Sequence, residues 1–115
     1  MTTDKVTRAA DYLESTLKAK RISAASAARM AGLTPAQGRN LFSGRELPTR
    51  DQALRIALSM AMRPDEANRL LRLTGNEPLM QDEARDRLLA DCLEKGLSIQ
   101  KASELLADQG ERNLG

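Results

Sequence analysis

Apolar residues recur at helical spacing through most of the chain, and no stretch alternates as a half-buried strand would. Val6, Ala9, Ala10, Leu13 and Leu17 make one face of a helix over 4–20. Ala27, Ala28 and Ala31 put small side chains on the back of a short second helix, so that a third can cross it closely at a steep angle. Leu33 then plugs the angle between the two, and Leu41 turns the third helix toward the core. Leu54, Ala57, Leu58 and Ala61 form the stripe of a helix from Thr49 to about Met60, and Ala67, Leu70, Leu71 and Thr74 that of a helix begun by Pro64. Boundary residues agree with these periods. Thr34 is an N-cap, Pro35 a first helical residue and Gln37 the third position of a capping box, and Thr49 with Gln52 repeats the pattern. Asp65 and Glu66 lie in a first turn, where the helix dipole favours acids. Gly32, Gly44 and Gly75 close helices.

A shift of 35 residues superposes the rest of the chain on this unit. Asp51 falls on Asp86, Leu54 on Leu89, Leu58 on Leu93 and Met62 on Leu97. Farther on, Ala67 falls on Ala102, Leu70 and Leu71 on Leu105 and Leu106, Gly75 on Gly110 and Leu79 on Leu114. Two similar helical hairpins follow, whether from duplication or from common packing demands. The prediction is an all-α protein of about seven helices: a first unit over 1–79 and a hairpin over 80–115 stacked on it.

Composition narrows the chemistry. With 115 residues, 41% of them hydrophobic, the chain can bury one core. Only Tyr12 and Phe42 are aromatic, so that core is Leu, Ala, Met and Ile, which favours helix on helix. A single cysteine permits no intramolecular disulfide and fits a reducing cytoplasm. Neither a membrane-spanning run nor a signal peptide is expected. Histidine is absent, which removes imidazole triads, ligands and acid–base steps. Cys92 occupies the position matching Ala57 and reads as a buried small residue, not a nucleophile. Asp82, Glu83, Asp86 and Asp91 scatter around a helix and read as a solvated acidic face. An enzyme, a metal site and a cofactor are not expected.

Charge is unevenly distributed. Residues 1–50 carry nine Lys/Arg against four Asp/Glu, and residues 51–115 carry nine against twelve. Lys18, Lys20, Arg21, Arg29, Arg39, Arg45 and Arg50 fall in one stretch whose only acid is Glu46. That basic stretch coincides with the small-residue helix, the Gly32 turn and the capped helix over 23–44, which is the sequence form of a helix-turn-helix.

The spacing from Gly32 through Leu33, Thr34 and Leu41 to Gly44 resembles the lambda-repressor and Cro-like (XRE-type) helix-turn-helix family. It is most similar to a branch of small bacterial regulators with a Gly inside the recognition helix and an Ile/Leu-Phe-Ser-Gly ending, here Gly38 and Leu41-Phe42-Ser43-Gly44. Pro48, Arg50 and Asp51 match that branch's lead-in to the next helix. Residues 67–71 match its Ala-Asn-Arg-Leu-Leu helix, and Gly75, Pro78 and Leu79 its exit. The resemblance covers roughly residues 17–110 and implies a lambda-repressor-like bundle extended by a C-terminal hairpin.

In that arrangement the helix 35–43 enters the major groove of double-stranded DNA. Arg39 is then the candidate for a bidentate contact to guanine, Gln37 and Asn40 for adenine, and Ala36 for a thymine methyl. Thr34, Ser43, Arg45, Arg29 and Arg50 are the phosphate candidates. Each has a duller alternative. In it Gln37 only closes the capping box, Thr34 only caps, Asn40 is solvated, and Arg39 pairs with Glu46. Pro35 and Ala36 stand at reading positions usually polar in the family, and Gly38 replaces a branched core residue, so shape and phosphate contact carry more weight than base hydrogen bonds.

Two functional readings follow. One is a sequence-specific DNA-binding transcriptional regulator, expected to be a repressor acting as a homodimer. The other is a helical interaction or adaptor module that keeps the fold and binds a protein partner, with the acidic C-terminal hairpin as its surface.

Overall fold

Every one of the predicted stripes becomes a helix in the computed structural model, which describes residues 2–115, with side chains from Thr7 onward. The order is α1 (Thr2–Lys20), α2 (Ala24–Met30), α3 (Pro35–Phe42), α4 (Arg50–Ser59), α5 (Pro64–Leu73), α6 (Ala84–Lys95) and α7 (Ile99–Asp108). Among the described residues there are seven helices and no strand, an all-α fold. None of these helices is long and apolar enough to cross a membrane. Val6, part of the stripe expected on the first helix, lies outside the residues whose side chains are described.

Helix α4 is central. It packs against α2, α5, α6 and α7, and Ala53, Leu54, Ile56, Ala57 and Leu58 are all buried. These five cover an arc of about 200° at 100° per residue, and a helix with so wide an apolar face is stable only when several neighbours cover it. Leu13, Leu17, Leu41, Leu70 and Leu71 join the same buried cluster as Leu89, Cys92, Leu93, Leu106 and Leu114, so one core runs across the expected 79/80 division. Removing residues after Leu79 would strip the second group of side chains from that core. Cys92 is fully buried, and burial, followed by the charge of Asp91, pushes its thiol above the ordinary value.

The helices begin and end by repeated devices. Thr34 and Thr49 each accept from the backbone N–H three residues on, and Gln37 and Gln52 each accept from the cap's own N–H. Six helix ends share one closing pattern, in which a residue with positive φ sends its N–H back to the carbonyl three before, and the next N–H spans five. Gly32 takes this role between α2 and α3, at φ +72°. Ala61 takes it after α4, at φ +51°. That corrects the expectation that Ala61 lies in the apolar stripe: the helix has already ended at Ser59, Ala61 is exposed, and Met60 and Met62 on either side of it are buried.

The 35-residue repeat extends to side-chain bonds. Arg50 grips Asp86 with both terminal nitrogens, at 3.0 and 2.8 Å, and Arg85 reciprocally reaches Asp51 at 3.0 Å. Arg50 also donates to the carbonyls of Glu77 and Pro78, and Arg85 donates to those of Arg112 and Asn113, again 35 residues on. Each arginine therefore holds the tail of its own hairpin and the aspartate of the other. A reciprocal pair of this kind is the arrangement of a twofold interface, here closed within one chain.

Candidate functional site

Helices α2 and α3 meet where two side chains are missing. Ala28 and Gly38 are both buried, and a methyl group on Gly38 would stand 2.6 Å from the Ala28 Cβ. Close contact there outweighs the propensity cost of about 1 kcal/mol for glycine inside a helix. Leu33 is buried in the angle and Leu41 in the core. Arg55 of α4 fastens the connecting turn by donating to the carbonyl of Ala31 at 2.9 Å.

On the outer surface of α3, positions 36, 39, 40 and 43 fall within an arc of about 100° at 100° per residue. Ala36, Arg39 and Ser43 are exposed and Asn40 is half-buried. Among the described residues no carboxylate lies within ion-pair distance of Arg39. Glu46, the partner in the alternative reading of Arg39, instead accepts from the Asn40 amide at 2.8 Å. Among the described residues exposed Arg45 also lacks an acidic partner, and Arg29 has a 3.5 Å contact to the Ser26 hydroxyl and no carboxylate. Ser43 donates to the Asn40 carbonyl at 3.4 Å.

Geometry redirects one expected contact and constrains two others. Arg50, assigned to a phosphate, has its guanidinium occupied by Asp86 and two carbonyls, so it ties the fold together instead. Gln37 turns its amide oxygen back to the Thr34 N–H at 2.9 Å, and a bidentate pair with adenine needs both ends of the amide. Asn40 donates one of its two amide protons to Glu46, which fixes how its amide is turned. Thr34 caps α3, at 3.1 Å from the Gln37 N–H.

Arg29, Arg39, Ser43 and Arg45 are brought together along the edge of a groove of about 880 Å³ between α2 and α3. Ala24, Ala25, Ala28, Leu33 and Phe42 supply its apolar floor, and no acidic residue lines it. The groove was not foreseen, because small residues spaced for a close helix crossing do not reveal that the V beyond the crossing stays open.

The acidic hairpin is less exposed as charge than its composition suggests. Asp86 is buried against Arg50, while Asp91 pairs with Lys95, Glu94 with Arg63 and Glu104 with Lys101. The expectation of a solvated acidic face therefore fails at Asp86. Burial alone would raise its carboxyl, but hydrogen bonds from Arg50 and the Met80 N–H, with the charges of Arg50 and Arg85, hold it below the usual carboxylate value. Comparison of the chain with protein-family models, with curated proteins and with solved structures finds no match in any of the three.

Proposed function

We propose that the chain is a DNA-binding transcriptional regulator that places α3 in the major groove of double-stranded DNA. The observation that carries this reading is the set of exposed cations Arg29, Arg39 and Arg45, without acidic partners among the described residues, around a short helix held by the close Gly38–Ala28 contact. Phosphates would supply the missing counter-charge. Arg39 is the side chain placed to fork onto a guanine, and Ala36 offers a methyl to a thymine. Arg29, Ser43 and Arg45 hold the backbone on either side. With so few free readers, affinity rests on phosphate contact and DNA shape. One such helix spans few base pairs, so the regulator acts as a homodimer on an inverted repeat, as a repressor.

Recovery of sheared genomic DNA by the purified protein at fixed, near-physiological salt tests the reading. A small set of enriched fragments sharing an inverted repeat is expected. Replacing Arg39 and Arg45 together by Ala should abolish that recovery while the circular dichroism stays unchanged. Singly, Arg45→Ala should lower the salt slope by about 1, and Arg39→Ala should cost about 1–3 kcal/mol at one base position. Unchanged affinity in the double variant overturns the proposed docking. Uniform weak recovery transfers the assignment to the protein-binding adaptor.

A further inference from the structure

We infer that the groove between α2 and α3 is the docking site for an acidic amphipathic helix of a partner protein. Two independent features of the groove coincide. Its floor is apolar, and much of it is short in side-chain length, since Ala24, Ala25, Ala28 and Gly38 carry nothing beyond a Cβ. Its rim holds Arg29, Arg39 and Arg45, and none of its lining residues is acidic. Among the described residues Lys18, Lys20, Arg50, Arg63, Arg85, Lys95, Lys101 and Arg112 have carboxylates within 4.0 Å, whereas other arginines, Arg21 and Arg72 among them, do not. What sets the rim apart is that three such cations share one groove with no acid in its lining.

DNA accounts for the rim but not for the floor. Phosphates and base edges are polar, and an apolar channel beside the reading helix gains nothing from them beyond an occasional methyl contact. An amphipathic helix satisfies both. Its apolar stripe at i, i+3, i+4 and i+7 covers the floor, and flanking Asp or Glu face the arginines. The small residues of the floor let a helix axis approach to about 8–10 Å, with Leu33 and Phe42 beside them to pack against its apolar stripe. Charge complementarity sets the orientation and speeds the encounter.

A consequence follows for regulation. Arg39 and Ser43 belong to the groove and to the outer arc of α3 alike. A helix seated in the groove therefore withdraws Arg39 from DNA, and its acidic flanks take the place of phosphates. The partner is an antirepressor that mimics the charge of the backbone it displaces. This competition rests on the DNA-binding reading; the docking itself does not.

The test is a selection from a displayed library of random peptides of about 16 residues, long enough for four helical turns. The bait is the full chain, counter-selected against the Arg29→Glu, Arg45→Glu double variant. Enriched peptides should carry apolar residues at helical spacing flanked by Asp and Glu. A labelled synthetic copy should lose about tenfold or more in affinity on the charge-reversed protein, each tenfold being about 1.4 kcal/mol. Ala25→Trp, which fills the floor at an exposed position, should also abolish capture. Enrichment of basic or uncharged peptides, or equal binding to both variants, overturns the inference. Self-association of the chain alone that is lost in Ala25→Trp overturns it in favour of a second copy. Saturable decanoate binding at the groove, with no peptide enriched, overturns it in favour of a small apolar anion. The enriched peptide should displace recovered genomic DNA, and simultaneous binding of both overturns the competition. If no DNA is recovered at all, the regulator reading fails while the peptide data still decide the docking.

Discussion

At Gly38 a hydrogen atom faces α2 where any other residue would carry carbon. Ala28 is the matching small residue, and the 2.6 Å that would separate the two methyl groups is far inside contact distance. Helix propensity alone favours Gly38→Ala by about 1 kcal/mol, because α3 would lose a flexible interior position. Overpacking at a buried crossing costs about 1–3 kcal/mol and wins. Gly38→Ala should therefore lower the urea midpoint of unfolding. Adding Ala28→Gly should give a double variant at least about 1 kcal/mol more stable than the sum of the two single losses. A stabilised Gly38→Ala would mean that α2 and α3 are not in close contact. The same residue pair sets the geometry of the groove, so this measurement also reports on the site.

Helix termini are decided by short-range chemistry, and two of them, at Arg21 and Ala61, close at positive φ without a glycine. The left-handed residue after α6 is Gly96, with open space around the position of a Cβ. Thirty-five residues earlier, after α4, the same position is Ala61. An alanine in this conformation costs about 1–2 kcal/mol, partly offset because glycine has more freedom to lose on folding. Ala61→Gly should stabilise the protein by about 0.5–1 kcal/mol, and Gly96→Ala should destabilise it by a similar amount. Thermal unfolding of the two variants checks both signs. If the two shifts have the same sign, the helix ends are not equivalent. The Ala61 carbonyl accepts from the Lys20 ammonium at 3.2 Å, and glycine preserves that bond.

Across the whole molecule, the reciprocal ties Arg50–Asp86 and Arg85–Asp51 join the two hairpins into one body. Because the Asp86 carboxyl is held below its ordinary value of 3.8, its contribution to stability is complete above that pH and is lost as pH falls through the lower folded value. Asp86→Asn removes the charge at nearly constant shape and leaves Arg50 without its counter-ion. It should destabilise the protein by about 2–3 kcal/mol at pH 7, somewhat less than a fully buried pair because Arg50 keeps some contact with water. The difference from the natural protein should narrow as pH falls below about 4. Urea midpoints at pH 7, 5, 4 and 3 measure it. A difference that does not change with pH would mean that the carboxylate charge is not what Asp86 contributes.

The number of helices, their caps and the α2–turn–α3 unit were determined by the sequence, because periodicity, capping boxes and glycine ends act over three to five residues. Thr34, Gln37, Gly32 and Leu41 behave in the structure as their spacing requires. Residues whose partners lie farther along the chain were not legible in this way. Arg50 looked like a phosphate clamp because its bond to Asp86 spans 36 positions. The one available signal was the Arg-Asp dipeptide recurring at 50–51 and 85–86. Glu46 choosing Asn40 over Arg39, and the open groove beside the Gly38–Ala28 crossing, were decided only by the tertiary structure. A side chain's charge is written in the sequence. Whether that charge is already neutralised depends on which distant element packs against it.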